Sequence, residues 1–187
     1  MKTHTRLFAL FALALASSGP AQALNIVMNG SFETGDFSGW TQFGDTSFSG
    51  VQCPGPSLVE DGNCRAFFGP LSLGGISQLI PTVPGSSYAI SFAWEPDGSS
   101  PSSFSANFGG TNIISRVNPP GSGFQQFNVV ALAASANTLL SFSFVDPSGF
   151  MFLDAVSVSV PSVPEPATLA LLGLGLLGIV VARRRSH

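Results

Sequence analysis

Ser87-Tyr88-Ala89-Ile90-Ser91-Phe92-Ala93-Trp94-Glu95 alternates between two kinds of position without a break. Tyr88, Ile90, Phe92 and Trp94 fall on one face; Ala89, Ser91 and Ala93 fall on the other. A period of two is the signature of a half-buried antiparallel strand, because successive side chains of a strand point to opposite faces. The turn Pro81-Thr82-Val83-Pro84-Gly85 precedes the stretch, and a Pro, Gly and Ser-rich loop from Pro96 to Ser102 ends it. Moving outward along the chain, the same alternation recurs. Phe104, Ala106 and Phe108 alternate with Ser105 and Asn107; Phe127, Val129 and Ala131 with Gln126, Asn128 and Val130. Leu140, Phe142 and Phe144 alternate with Leu139, Ser141 and Ser143, and Val156, Val158 and Val160 point inward against Ser157 and Ser159. Shorter strands are expected over 24–28, 40–43, 46–51, 65–68, 75–80 and 112–116, and Asn118-Pro119-Pro120-Gly121-Ser122-Gly123 breaks the chain between two of the later ones. No window between residues 24 and 160 holds a helical period. The pattern predicts an all-β, single-domain sandwich or barrel, with most of the seventeen phenylalanines in its core.

Both ends of the chain differ in composition from this middle. Lys2, His4 and Arg6 precede an apolar run over 7–16, and Ala21-Gln22-Ala23 fits a small-residue cleavage site. Residues 1–23 read as a secretory signal peptide cleaved after Ala23. Residues 161–166 form a proline-rich linker, and 167–182 are uncharged and apolar. A helix of that length spans roughly 24 Å at about 1.5 Å per residue, a short crossing of a bilayer core. Arg183, Arg184 and Arg185 follow in a basic tail, residues 183–187, expected to stay cytoplasmic. Pro166 lacks an N–H and biases Glu165 away from the helical region, so Pro164-Glu165-Pro166 makes an exposed, extended stem before the span.

Val163-Pro164-Glu165-Pro166, the apolar span and Arg183-Arg184-Arg185, in that order, resemble the PEP-CTERM sorting signal of Gram-negative bacteria. The resemblance covers residues 163–187. It implies processing by an exosortase, a membrane protease-transpeptidase, and association with exopolysaccharide. The expected route is export, transient anchoring in the inner membrane, and release to the cell surface or the extracellular space.

Residues 24–160 carry two basic residues, Arg65 and Arg116, against nine acids, a net charge of −7. With no basic patch, nucleic acid is excluded as a partner. Cys53 and Cys64 are the only cysteines and bracket a Pro/Gly-rich loop. Export to an oxidising space favours a disulfide between them, worth about 2–3 kcal/mol, and no histidine or third cysteine lies nearby to make a metal site instead. The two histidines, His4 and His187, lie at the ends of the chain, and residues 24–160 have neither His nor Lys. Ser-His-Asp and Cys-His catalysis and a His-ligated catalytic zinc are therefore excluded there. A paired-carboxylate glycosidase is left, with Glu60-Asp61 and Glu95-x-Asp97 as the close acid pairs. Both pairs fall in loops rich in Gly, Pro and Ser, where solvated charge is the simpler reading. The chain is read as a non-enzyme.

Asn29-Gly30-Ser31-Phe32-Glu33, Trp40, Tyr88-Ala89-Ile90-Ser91-Phe92 and Phe152-Leu153-Asp154-Ala155-Val156 resemble the framing motifs of the galactose-binding-like jelly roll shared by many carbohydrate-binding modules. Ala155 stands where that family has a second polar residue. The resemblance implies an antiparallel jelly-roll β-sandwich. It also implies a structural calcium, with Glu33 and Asp154 as ligands and backbone carbonyls completing the shell. Strict alternation places Asp154 on the core-facing side with Val156, so either a bulge turns it out or it is buried with a partner. A calcium ion would serve as that partner, and so would hydrogen bonds to the Asn29-Gly30 loop. Two roles are left for the domain: a structural or adhesive part in an exopolysaccharide matrix, and true saccharide binding. Binding needs aromatic rings open to a sugar. Trp94, beside the 95–102 loop, is the first candidate, with Trp40 and Tyr88 after it.

Overall fold

The computed structural model describes residues 24–160. Its strands are β1 (Thr41–Gly44), β2 (Ser49–Gln52), β3 (Arg65–Phe68), β4 (Gly74–Pro81), β5 (Ser87–Glu95), β6 (Ser103–Phe108), β7 (Thr111–Val117), β8 (Gln125–Leu132), β9 (Asn137–Val145) and β10 (Met151–Ser159). A 3-10 turn at Pro56–Leu58 is the only helical element among the described residues. The strands make two five-stranded antiparallel sheets. The first runs β1-β4-β9-β6-β7 and the second β2-β3-β10-β5-β8. From β7 to β10 the chain changes sheet at every connection, so sequence neighbours face each other across the core. The expected all-β antiparallel sandwich is the fold observed.

β5 has the predicted limits, and Tyr88, Ile90, Phe92 and Trp94 are all buried on its inner side. Phe104, Ala106 and Phe108 of β6 and Leu140, Phe142 and Phe144 of β9 meet them from the first sheet. Aromatic pairs tie the two sheets together: Phe68 stacks on Phe144, Trp94 on Phe104, and Phe92 meets Phe142 edge-on. Each buried ring of this size contributes about 1.5–3 kcal/mol over its exposed state. The core cluster is made of residues from both sheets within 24–160.

Three expectations need correction. Residues 24–28 do not form a ladder strand. Their backbone contributes Ile26 N–H to Val158 O, and the Asn25 side chain takes the Val158 N–H that a strand carbonyl would accept. Val160 is exposed, because β10 has run past the end of the sandwich. Phe127, Val129 and Ala131 are only half-buried, because β8 is an edge strand. The expected signal peptide, linker, membrane helix and basic tail, including the sorting-motif residues 163–166 and 183–185, lie outside the described residues. Among the described residues no helix is long and apolar enough to cross a membrane.

Candidate functional site

The outer side of the second sheet carries side chains that the core does not use. In β3, Ala66 and Phe68 point inward, so Arg65 and Phe67 point out. In β10, Met151 and Leu153 point inward, so Phe152 points out beside Phe67, its register partner. β2 adds Gln52, opposite Arg65, and Gly50, opposite Phe67. Glycine at position 50 is a packing requirement: a Cβ there would stand 2.8 Å from the Phe67 ring. Gly69 plays the same part for Phe150, whose ring would meet a Cβ at 2.8 Å. Phe67 and Phe150 then pack edge to face, with centroids 5.7 Å apart. Gln52, Phe67, Phe150 and Phe152 line an open notch of about 150 Å³.

Arg65 holds the polar side of this notch together. Its guanidinium lies 3.6 Å from the centroid of the Phe152 ring. Nη1 donates to Glu95 Oε2 at 3.2 Å, and the Gln52 amide oxygen, in the orientation that satisfies its neighbours, accepts from Nε and Nη2 at 3.0 and 3.1 Å. Desolvation by burial draws Arg65 below its ordinary range, opposed by the charges of Glu95 and Asp154. Phe150 is held from behind by Asp97, whose Oδ2 accepts the Phe150 N–H at 3.0 Å and whose Oδ1 accepts from Ser99 N at 2.8 Å.

The loop between Cys53 and Cys64 joins β2 to β3, two of the strands that carry the notch, and the disulfide predicted between these residues closes it. The loop leaves at β2 and returns at β3, yet its tip reaches the opposite edge, where Glu60 Oε1 accepts from Gln126 Nε2 of β8 at 2.7 Å. Midway it sits on Asp154. The register of β10 against β5 shifts between Asp154 and Ser157, with Ala155 at φ +51°, so Asp154 lies on the outer side opposite Ala93. A bulge thus turns Asp154 away from the core, and the loop then buries it completely. Its Oδ2 accepts from Glu60 N and Asp61 N at 2.8 and 2.9 Å, and Oδ1 accepts from Ala155 N. Burial raises its pKa to about 6, against the lowering effect of those three N–H groups. The partner is the 60–61 backbone, not the Asn29-Gly30 loop. Glu33 serves the same loop, its Oε1 accepting from Asn63 N and Cys64 N at 2.7 and 2.8 Å.

These contacts test the two carboxylates as calcium ligands. Both oxygens of Asp154 and Oε1 of Glu33 accept from backbone N–H groups, so the chain itself satisfies them. No group of three or more His, Cys, Asp or Glu side chains suited to a metal exists among the described residues. Backbone donors thus satisfy the carboxylate oxygens that the resemblance implied for a calcium ion.

The three aromatics expected to bind a sugar are in the core. Trp94 is 1% exposed, Tyr88 3% and Trp40 7%. Trp94 and Tyr88 share the inward parity of β5, and Trp40 stacks on Phe32 with its Nε1 donating to Asn29 O. The rings that do face solvent are phenylalanines, and a signal for them exists. Adjacent Phe67-Phe68 and the run Phe150-Met151-Phe152-Leu153 cannot turn every side chain inward from a strand, so some must face out.

Comparison with known proteins bears on both parts of the chain. Residues 162–185 match the PEP-CTERM protein-sorting motif, so the chain carries that signal at its C-terminus. No curated protein matches the chain. Among solved structures, the sandwich is similar to TmCBM61 in complex with beta-1,4-galactotriose, with a TM-score of 0.60 and 20% identity over 73% of this chain and 98% of that one. It is also similar to the C-terminal family 22 carbohydrate-binding module of Clostridium thermocellum Xyn10B, with a TM-score of 0.53 and 16% identity over 72% and 94%. A third is the CBM22-1 xylan-binding domain of Paenibacillus barcinonensis Xyn10C, with a TM-score of 0.51 and 15% identity over 72% and 94%. The fold is an antiparallel β-sandwich similar to that of these carbohydrate-binding modules.

Proposed function

We propose that this chain is an exported, non-catalytic saccharide-binding protein, and that it holds its sugar in the notch on the outer side of the second sheet. The observation that carries the reading is the open cluster of Phe67, Phe150 and Phe152 beside Gln52, Arg65 and Glu95. Apolar C–H faces of a pyranose stack on such rings, and the flanking amide, guanidinium and carboxylate fix its hydroxyls. The carbohydrate-binding-module fold supports the same reading, and the sorting motif supports export, membrane anchoring and exosortase processing. Association with an exopolysaccharide matrix is the setting this route suggests.

Hydrolysis is disfavoured because the loop acids have structural partners: Glu60 bonds Gln126, Glu95 pairs with Arg65, and Asp97 caps Ser99 and Phe150. A metal is not needed either. Chelation with EDTA is expected to leave the melting temperature of residues 24–160 unchanged, and a fall of several degrees on chelation would restore the calcium reading. The binding proposal is tested with a glycan array on residues 24–160, followed by calorimetry on the retained sugars. The substitution F152A should weaken them about tenfold or more while the fold persists, as expected when a central aromatic anchor is removed. An array with no glycan retained above background would refute the proposal.

A further inference from the structure

We infer that the notch selects uncharged sugars and that Glu95 is the residue that sets this choice. The inference rests on the saccharide-binding reading above. A carboxylated sugar needs a cation with free donors. Residues 24–160 contain two arginines, and Arg116 lies on β7 of the other sheet. Arg65 is the one cation at the notch, and three of its five N–H donors are already engaged. Glu95 takes Nη1, Gln52 takes Nε and Nη2, and Phe152 covers one face of the guanidinium. The Arg65 side chain is 12% exposed.

Pairing with Glu95 brings the charge at the centre of the notch to zero, and the surroundings are acidic. Asp97 stands behind Phe150, and Glu60 and Asp61 belong to the loop between Cys53 and Cys64. No other cation balances them there, within a domain whose two arginines face nine acids. An incoming carboxylate would find only the two remaining Arg65 N–H groups, with the Glu95 carboxylate beside it, and like charges placed together are repelled. A neutral sugar meets no such repulsion: it can stack on Phe67 and Phe150, donate a hydroxyl to Glu95 Oε1, and accept from the Gln52 amide N–H.

Glu95 is thus a specificity device. It occupies the guanidinium that would otherwise recognise an acid, and Gln52 keeps that guanidinium flat on Phe152. The test uses matched polymers that differ only in charge: β-1,4-galactan before and after oxidation of its C6 hydroxyls to carboxylates, and homogalacturonan with and without its methyl esters. Residues 24–160 are expected to bind the neutral member of a pair about tenfold tighter at low salt. The gap should narrow as salt is raised, because repulsion is screened. E95Q, which keeps the shape and removes the carboxylate charge beside the guanidinium, should shrink the gap through tighter binding of the carboxylated member. Equal or tighter binding of carboxylated polymer by the wild-type domain would overturn the inference, whether or not E95Q folds. Failure to bind any of the four polymers, with an empty glycan array, would instead remove the saccharide-binding reading and the charge rule with it.

Discussion

Ala155 and Asp154 show how one residue decides what its neighbours can do. At φ +51° Ala155 occupies the left-handed region, where a Cβ crowds the following carbonyl and costs about 1–2 kcal/mol. Asn and Asp tolerate this conformation better, which explains physically why a polar residue stands here in the family that the motif resembles. Ala155→Asn is expected to stabilise residues 24–160 by about 0.5–1 kcal/mol in urea unfolding, and an unchanged or lower midpoint would count against the bulge as described. Asp154 carries the opposite burden, since burial raises its pKa from 3.8 to about 6. The native state therefore binds more protons than the unfolded chain between those values. Stability contributed by protonated Asp154 is full below pH 3.8 and is lost as pH rises through about 6. Asp146, also raised by burial, acts in the same direction, whereas Asp36 and Asp45, lowered by bonds to Ser38 and Ser47, matter only below this window. The urea midpoint should fall between pH 4.5 and 7, and D154N should flatten part of that slope. A midpoint that rises over this range would contradict the burial of Asp154.

At the scale of elements, the pairing of β2, β3 and β10 makes the notch, and glycines shape it as much as aromatics do. Gly50→Ala puts a methyl group 2.8 Å from the Phe67 ring, which is half-buried and can swing outward. The change should cost less than about 1 kcal/mol of stability, as expected away from the core, yet weaken sugar binding several-fold in calorimetry. Unaltered affinity would show that the orientation of Phe67 is irrelevant to the site. These elements also show what the sequence could and could not disclose. Period-two alternation located β5, β6, β9 and β10 because one face of each strand is buried, and this burial is the physical source of the pattern. The same logic sent Trp94 and Tyr88 inward once their parity was known, although their chemistry suggested a sugar platform. The notch itself was hidden, because Phe67, Gln52, Arg65 and Phe152 come from three strands whose adjacency is set by sheet order, which no local pattern encodes. Asp154 was legible as a conflict, an acid on an apolar face, but the answer was a loop ninety-odd residues away in sequence.

For the whole molecule, the two ends of the chain and its acidic middle fit one itinerary. The domain builds its core from both sheets, ties its longest loop with a disulfide, and has no histidine or lysine between residues 24 and 160. The PEP-CTERM motif at 162–185 adds a sorting signal to the C-terminal side of this domain, and on the proposed reading the tail is removed once the domain has been exported. This predicts two species in an exosortase-bearing cell. Wild-type protein should leave the membrane fraction, with an intact mass that begins at Leu24 and lacks the arginines 183–185. A chain with Pro164 and Glu165 both changed to alanine should remain in the membrane fraction with its tail. Because the substitutions lie beyond β10, its melting temperature should match that of the wild type in residues 24–160, so any difference in location reflects processing and not folding. Equal release of the two proteins would mean that the tail is an ordinary anchor and that the sandwich works tethered to the membrane.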